Sequence, residues 1–380
     1  MCDVETTIFQ KGNVYAACNR LCYAGLHWGS GSLIHSIDLD DAPYGGKIDG
    51  VRSHLERHDL FIAFNLKFDW NWLRRYGVYI PTLPVWDLQT AEFIITAQAS
   101  AMPSLEGTLE KYCLGKKGTV DEEYWSQGID TPLIPRDEMV AYLESDLLGE
   151  WALWEWQLEY LKDKPALKRL IWRACQDLKT TAEMEWNGLK YDLELSTNLG
   201  NEKLARIEAI DNELREICGR TDLSFSSGDD VSLYLYGGVR YDLGWETYVF
   251  TYKDGHTAEK QRRCKVPVTF QRMVEPLKGT ELKKHGFYST DVGTLQKLKA
   301  TGATRKAITL LLERSRIETQ VSRYLHGIPK LYEEMQWENG IIHGQLNHCV
   351  AKTGRLSSSK PNQQNLDQET RKCIVTRYVD

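Results

Sequence analysis

Four carboxylates and one phenol have the types and spacing of a metal-dependent hydrolytic site. Asp3 and Glu5 are two residues apart, so on a strand both side chains leave the same face. Tyr142 and Asp146 are four residues apart, which makes them neighbours along one face of a helix. Asp69 begins a segment that the sequence predicts to be a helix, with Gly77 as its stop. Carboxylates gathered from three elements would repel one another unless cations lay between them.

Magnesium is the cation that such a set of oxygen ligands favours, because Mg²⁺ is a hard ion that binds carboxylates and water. Two ions about 4 Å apart activate a water molecule and stabilise a leaving oxygen during phosphodiester hydrolysis. The sequence therefore predicts a site for two Mg²⁺ ions at Asp3, Glu5, Asp69 and Asp146, where Mn²⁺ is expected to substitute.

The order of these stretches resembles that of a known nuclease family. Asp3-Val4-Glu5, residues 65–69 (NLKFD) and residues 142–146 (YLESD) resemble the ExoI, ExoII and ExoIII motifs of the DEDDy 3′–5′ exonucleases. These are the proofreading domains of family A DNA polymerases. Residues 86–92 (WDLQTAE) and 125–131 (WSQGIDT) look like phage members of that family.

The resemblance continues through the rest of the chain. Residues 183–189 (EMEWNGL) look like the start of a family A thumb, and residues 287–292 (FYSTDV) are similar to the family's YSTD segment. Residues 353–359 (TGRLSSS) and 361–365 (PNQQN) closely match the stretch that approaches the primer–template duplex. Residues 371–375 (RKCIV) are similar to the strand that leads into polymerase motif A.

The sequence departs from the family where the polymerase site is expected. No motif A, fingers helix or C-terminal palm motif is recognisable in the residues up to Asp380. Asp380 itself does not resemble the motif A aspartate, because the apolar strand expected before that aspartate is missing. We therefore expect the N-terminal half of a split polymerase, or a truncated product, with a second polypeptide supplying the rest of the palm and the fingers.

The resemblance assigns roles to the acidic residues. Asp3, Glu5 and Asp146 would hold the metal that carries the attacking water, and Asp3 would reach the second metal together with Asp69. Tyr142 would orient the water through its hydroxyl. The implied reaction is hydrolysis of frayed or single-stranded DNA 3′ ends to nucleoside monophosphates.

Composition and charge fit a DNA-associated globular protein. The chain has 380 residues, 42% hydrophobic and 26% charged, and no apolar run of 18 residues, so no membrane span is expected. Nine cysteines show neither a disulfide framework nor paired zinc spacing, which favours free thiols in a reducing cytoplasm, that of a bacterial host if a phage encodes the protein. The net charge of −6 hides a contrast: residues 1–165 carry −11 and residues 253–330 carry +10. The basic stretch could replace the counterions of DNA phosphates.

The elements that position these residues predict an α/β fold in three parts. We expect a ribonuclease H-like exonuclease domain at residues 1–165, a mainly helical thumb at 166–336 and the first strands of a palm at 337–380. Strands are predicted near residues 14–18, 21–26 and 32–37, and a helix with Asp137 as its N-cap is predicted after Pro135. Residues 221–290 are expected to hold a β-hairpin insertion in the thumb.

Residues that would contact DNA follow from the same resemblance. They are expected to bind primer–template or single-stranded 3′ ends, and they are Asn65, Arg305, Lys306, Arg314, Thr353, Arg355, Ser357, Ser358, Asn362 and Asn365.

Two other functions are open at this point. The exonuclease could be vestigial, in which case the chain would deliver primer–template to a separate palm–fingers polypeptide. Alternatively, the chain could be a free-standing exonuclease of the ribonuclease D type that acts on RNA, although its palm-like C-terminal residues disfavour that function. Preference for DNA over RNA 3′ ends would separate these possibilities.

Overall fold

The computed structural model describes residues 1–39, 44–116, 118 and 120–377. Two compact units are present, and the first is discontinuous in sequence. Unit 1 is Met1–Glu194 together with Ile328–Asp380, and unit 2 is Leu195–Gly327. Asp380, on which the motif A comparison rests, lies outside the described residues. No helix among the described residues is long and apolar enough to span a membrane.

The described elements mix strands and helices. The strands are β1 (Cys2–Thr6), β2 (Leu21–His27), β3 (Ser32–Ser36), β4 (Phe61–Ala63), β5 (Val85–Asp87), β6 (Leu189–Lys190), β7 (Gly238–Thr251), β8 (Thr257–Phe270), β9 (Ile341–Ile342), β10 (Gln345–Asn347) and β11 (Ser357–Ser359). The helices are α1 (Tyr44–Leu55), α2 (Lys67–Arg75), α3 (Leu88–Ile95), α4 (Leu105–Tyr112), α5 (Val120–Glu123), α6 (Arg136–Tyr160), α7 (Pro165–Asn187), α8 (Leu193–Cys218), α9 (Gly228–Tyr236), α10 (Val292–Lys297), α11 (Gly302–Gln320), α12 (Gly327–Glu334) and α13 (Gln368–Arg371).

Strand β1 presents the first two acidic residues on one face. It pairs antiparallel with β2, and β2 pairs antiparallel with β3. Along β1 the side chains of Cys2, Val4 and Thr6 are buried, whereas Asp3 and Glu5 are half-buried on the other face. Strands β4 and β5 form a parallel pair, and β4 lies beside β1. The period of two in a half-buried strand thus sends apolar residues to the core and both carboxylates out of it.

Helix α6 packs on β1 and β2 and carries two of the predicted site residues, Tyr142 and Asp146. Tyr142, Asp146 and Glu150 are buried and follow one another at intervals of four, so they share a face of the helix. Asp137 is not the N-cap, as predicted, but a first-turn residue, because the helix begins at Arg136 with Pro135 in the capping position. Asp69 likewise lies inside the first turn of α2, which begins at Lys67 rather than at Asp69.

The strand predicted at residues 14–18 is wrong, because this segment forms turns. The guanidinium of Arg75 explains the conformation. It donates to the carbonyl oxygens of Val14, Ala16 and Ala17 at 2.8 to 3.0 Å, which draws these carbonyls away from any strand partner.

The compact units do not follow the predicted boundaries at 165/166 and 336/337. Helix α7 packs against α2, α3 and β5, so it belongs to unit 1. Strand β6 pairs with β9, which places the segment predicted to open the palm in unit 1 as well.

Unit 2 consists of helices and one long hairpin. The hairpin predicted in the insertion is present, and its strands β7 and β8 are longer than expected, with 14 residues each. Its base is held by Arg240, which forms ion pairs with Asp222, Asp230 and Asp242 at 2.7 to 3.2 Å.

Candidate active site

Three of the predicted metal ligands meet at the face of β1. Asp3 and Glu5 leave this strand beside Asp146 of α6, and one oxygen from each carboxylate lies within 4.8 Å of the others. Asp146 is buried, and the two strand residues are half-buried. Oxygen atoms at this separation can share one cation, and they are too close to remain ionised together without cost.

Asp69 is a fourth, fully buried carboxylate next to this cluster. Its Oδ1 accepts a hydrogen bond from the backbone N–H of Val4 at 3.0 Å, which ties α2 to the strand between Asp3 and Glu5. Burial, followed by the neighbouring charge of Asp3, raises the pKa of Asp69 well above its usual range, against the opposing effect of the Val4 bond. A cation at the site would reverse this effect, since it would favour the ionised carboxylates.

Tyr142 places its phenol at the same cluster. Burial, followed by the charges of Glu5, Asp146 and Asp3, raises its pKa, and its hydroxyl hydrogen-bonds with Asp146. The ring of Trp125 meets the Tyr142 ring edge to face, at 5.4 Å between centroids. Tyr142 is therefore a neutral hydroxyl held in one orientation, not a phenolate base.

Glu150 is a further carboxylate that the sequence reasoning did not assign to the site. It is 2% exposed, and its Oε1 accepts from the backbone N–H of Phe64 at 3.2 Å. Its Oε2 is buried and has no hydrogen-bond partner among the described residues. Burial, followed by Asp3, Asp69 and Asp146, raises its pKa well above its usual range. The sequence signal that could have found Glu150 is its spacing of four from Asp146, which places it on the same helix face as Tyr142 and Asp146.

The donor set fits a divalent metal of the hard class. Every side chain that converges here offers oxygen, and sulfur and imidazole ligands are absent from the described acidic group. The orphaned oxygen of Glu150 and the mutual repulsion of the carboxylates are the features that a cation would relieve. Asp3, Glu5 and Asp146 are the residues that would hold it, with Asp69 alongside.

Four of the predicted DNA contacts in unit 1 have exposed side chains. Asn65 follows β4 with a left-handed φ of 62°, at the turn that leads into α2. Thr353 and Arg355 flank Gly354 (φ 70°) in an exposed turn, and Asn365 ends a short 3₁₀ segment. Arg355 makes no ion pair with any described residue, so its guanidinium is available to a phosphate.

The other three predicted contacts in unit 1 are engaged within the chain or half-buried. The Ser358 hydroxyl is buried, donates to the Pro361 carbonyl at 3.3 Å and accepts from the Gln363 N–H at 3.1 Å. Asn362 caps the following turn by accepting from the Gln364 N–H at 3.1 Å. Ser357 is half-buried in β11. The side chains of Ser358 and Asn362 therefore shape this segment from within.

In unit 2 the three predicted cations differ. Arg305 and Lys306 are exposed on α11, where Lys306 lies 3.3 Å from Glu213. Arg314 differs from the predicted exposed DNA contact, because its side chain is 7% exposed and forms ion pairs with Asp211 at 2.7 Å and Glu318 at 2.9 Å. Because these carboxylates already neutralise it, Arg314 fastens α8 to α11 instead of offering a charge to DNA.

Comparisons with known proteins give a match to one family over the C-terminal part of the chain and several similar proteins. The sequence profile of DNA polymerase family A matches residues 266–379. DNA polymerase I of Synechocystis sp. is 25% identical over 312 residues, which is 80% of this chain and 26% of that protein. DNA polymerase I of Geobacillus stearothermophilus is 24% identical over 284 residues, or 74% of this chain and 27% of that protein. Residues 266–379 of this chain therefore match DNA polymerase family A, and most of the chain is similar to these DNA polymerases I.

A solved structure has a fold similar to that of this chain. The POL domain of Pol1 from M. smegmatis, in complex with DNA primer-template and dNTP, aligns with a TM-score of 0.63 at 15% identity. The alignment covers 98% of this chain and 53% of that one. The chain spans about a quarter of the length of the curated relatives that it matches.

Proposed function

We propose that this chain is a proofreading 3′–5′ exonuclease, which hydrolyses DNA 3′ ends to nucleoside monophosphates with two Mg²⁺ ions. The observation that carries the proposal is the convergence of Asp3, Glu5 and Asp146 within 4.8 Å, with Asp69 and Tyr142 beside them. The antiparallel strands β1 to β3, with the parallel pair β4 and β5 next to β1, support a ribonuclease H-like arrangement for residues 1–165.

The acidic residues and the phenol have different roles in the proposed reaction. Bound divalent cations would supply an ionised water molecule and positive charge for the leaving oxygen. Asp3, Glu5 and Asp146 fix the position of that charge, and Asp69 is held in place by the Val4 N–H. The neutral hydroxyl of Tyr142 orients the attacking water and accepts or donates one hydrogen bond as the phosphate inverts.

DNA would be held by residues whose side chains are exposed. In unit 1 these are Asn65, Thr353, Arg355 and Asn365, and in unit 2 they are Arg305 and Lys306. The match to DNA polymerase family A over residues 266–379 and the primer–template bound in the M. smegmatis structure support a DNA substrate over RNA. We retain 1–165, 166–336 and 337–380 as functional domains.

The test is cleavage of a 5′-labelled single-stranded oligodeoxynucleotide in Mg²⁺. Wild type should shorten it one nucleotide at a time, whereas Asp3→Ala and Asp146→Ala should lose at least a hundredfold in rate, since metal-held charge supplies several kcal/mol of transition-state stabilisation. Glu144→Gln removes an exposed charge from the same helix and should cleave normally. Near-normal cleavage by Asp146→Ala would show that the site lies elsewhere.

Delivery of primer–template to a separate palm–fingers chain is the second candidate function. It is favoured by the exposed turn around Gly354, which lies within the region that matches the polymerase family. Wild-type protein that binds primer–template tightly but never shortens it would support this function and remove the first one.

A further inference from the structure

The hairpin of β7 and β8 is a two-stranded ribbon with unusual exposure. Its strands pair only with each other among the described residues, over 14 residues each, which gives a ribbon about 45 Å long. Directly opposed residues share a face, so the even-numbered side chains lie on one face and the odd-numbered side chains on the other. The two faces differ in the contacts and the solvent exposure of their side chains.

The even face is covered by its own side chains. Lys260 lies over the rings of Phe250 and Tyr252, at 3.9 and 4.5 Å from their centroids. Arg262 lies over the ring of Tyr248 and pairs with Glu246 at 2.9 Å. The aromatic rings and charged groups on this face therefore form cation–π contacts and an ion pair with one another.

The odd face leaves large apolar side chains in solvent. Tyr241, Trp245 and Val249 are each 64% exposed and Leu243 is 76% exposed, all on one strand and one face. A contiguous apolar surface of this kind marks a binding site on a folded protein. Trp245 and Tyr241 are four residues apart, so their rings stand about 13 Å from each other along the ribbon.

Two cations stand directly across from these residues. Arg263 opposes Trp245, with its guanidinium carbon 5.5 Å from the ring centroid, and Lys265 opposes Leu243. Neither cation pairs with a carboxylate in the described parts of the chain, in contrast to Arg240 and Arg262 of the even face. Glu259 is the acidic residue of this face and lies nearer the tip, opposite Val249.

We propose that the odd face of the ribbon binds single-stranded DNA, with bases stacked on Trp245 and Tyr241 and phosphates paired with Arg263 and Lys265. One ligand then supplies both π surface and negative charge, which is the combination found in proteins that bind single strands without sequence preference. A wholly apolar protein surface would bury both cations without a partner, at a cost. The proposal is independent of the acidic site in unit 1.

The test measures the affinity of the full chain for a fluorescein-labelled oligodeoxythymidine by anisotropy, in EDTA so that the probe is not cleaved. Trp245→Ala and Tyr241→Ala should each weaken binding about tenfold, as expected for loss of one stacked base. The double variant Arg263→Gln/Lys265→Gln should reduce the slope of log affinity against log salt by about 1.4, for two phosphate contacts on a single strand. Tyr248→Ala, on the even face, is the matched control and should bind as wild type does.

Because the mutated side chains of the odd face are exposed, those variants should unfold at the wild-type temperature, which circular dichroism would verify. Unchanged oligonucleotide affinity and salt slope in Trp245→Ala/Tyr241→Ala would overturn the proposal. Loss of self-association in sedimentation by that variant, with DNA affinity intact, would instead make the face an interface between copies of this chain. The exonuclease proposal is tested by cleavage in Mg²⁺ and this one by binding in EDTA, so failure here and failure of the exonuclease proposal give different results.

Discussion

Replacing Asp146 with asparagine should stabilise the metal-free protein while removing its activity. The substitution keeps the shape of a buried side chain and deletes one charge from a cluster in which three carboxylate oxygens lie within 4.8 Å of one another. A purely structural aspartate would give the opposite sign, because its loss would break a buried polar interaction.

The magnitude follows from Coulomb repulsion. At 4.8 Å and an effective dielectric constant of about 20, two ionised carboxylates repel by about 3 kcal/mol. The substitution removes two such pairs, those with Asp3 and Glu5. Partial protonation and solvent screening reduce the gain, and a weakened Tyr142 bond offsets about 1 kcal/mol. A net stabilisation of about 1–3 kcal/mol should remain, which raises the midpoint of unfolding of unit 1 by about 3–10 °C.

The assay is thermal unfolding of wild type and variant in EDTA and again with Mg²⁺. Metal binding stabilises the folded state by about 2.7 kcal/mol at one hundred times the dissociation constant. Wild type should therefore gain several degrees from Mg²⁺, and Asp146→Asn should gain much less. Glu144→Gln, which deletes an exposed charge from the same helix, should follow wild type in both conditions. A variant that is destabilised in EDTA and still gains fully from Mg²⁺ would refute the assignment of Asp146 as a ligand.

Three further outcomes follow from the same contacts. Glu150→Gln should raise the metal-free unfolding temperature and weaken stabilisation by Mn²⁺, which a metal titration followed by calorimetry would measure; an unaltered response would exclude Glu150 from the site. The folded-state pKa values of Asp69 and Glu150 lie above their ordinary values of 3.8 and 4.5, so the metal-free protein binds more protons when folded than when unfolded. The stability of the metal-free protein should therefore fall as pH rises above about 4. Urea unfolding in EDTA from pH 4 to 7 checks this direction, and stability that rises with pH would contradict it. Arg314→Gln should cost about 2 kcal/mol of stability, since it leaves the half-buried Asp211 without its partner. Arg305→Gln should leave stability unchanged and weaken duplex binding, as denaturation and filter binding would show.

The sequence predicted the acidic cluster well because its spacing has a simple geometric meaning. Two residues apart on a strand and four apart on a helix each define a face, and the structure brings Asp3, Glu5 and Asp146 together. Glu150 was missed because a carboxylate that continues a helical stripe can equally face solvent. Only the packing of α6 on β1 and β2 decides that it is buried.

The errors arose where distant contacts override local pattern. Residues 14–18 have strand-forming composition, yet their carbonyl oxygens accept hydrogen bonds from the guanidinium of Arg75, which is distant in sequence. Arg314 belongs to a basic stretch that suggested phosphate contacts, but it is neutralised by Asp211 on another helix. The break at Lys164-Pro165 is a real change of helix, but the packing of α7 on β5 makes it internal to a compact unit.

The most direct test of the central claim is a time course with a 5′-labelled primer–template that ends in a 3′ mismatch, in Mg²⁺ with all four deoxynucleotides. We expect a ladder of primers shortened by single nucleotides, with nucleoside monophosphates as product, and no shortening by Asp146→Ala. Shortening that persists in Asp146→Ala, or a primer that stays intact with wild type, would contradict it.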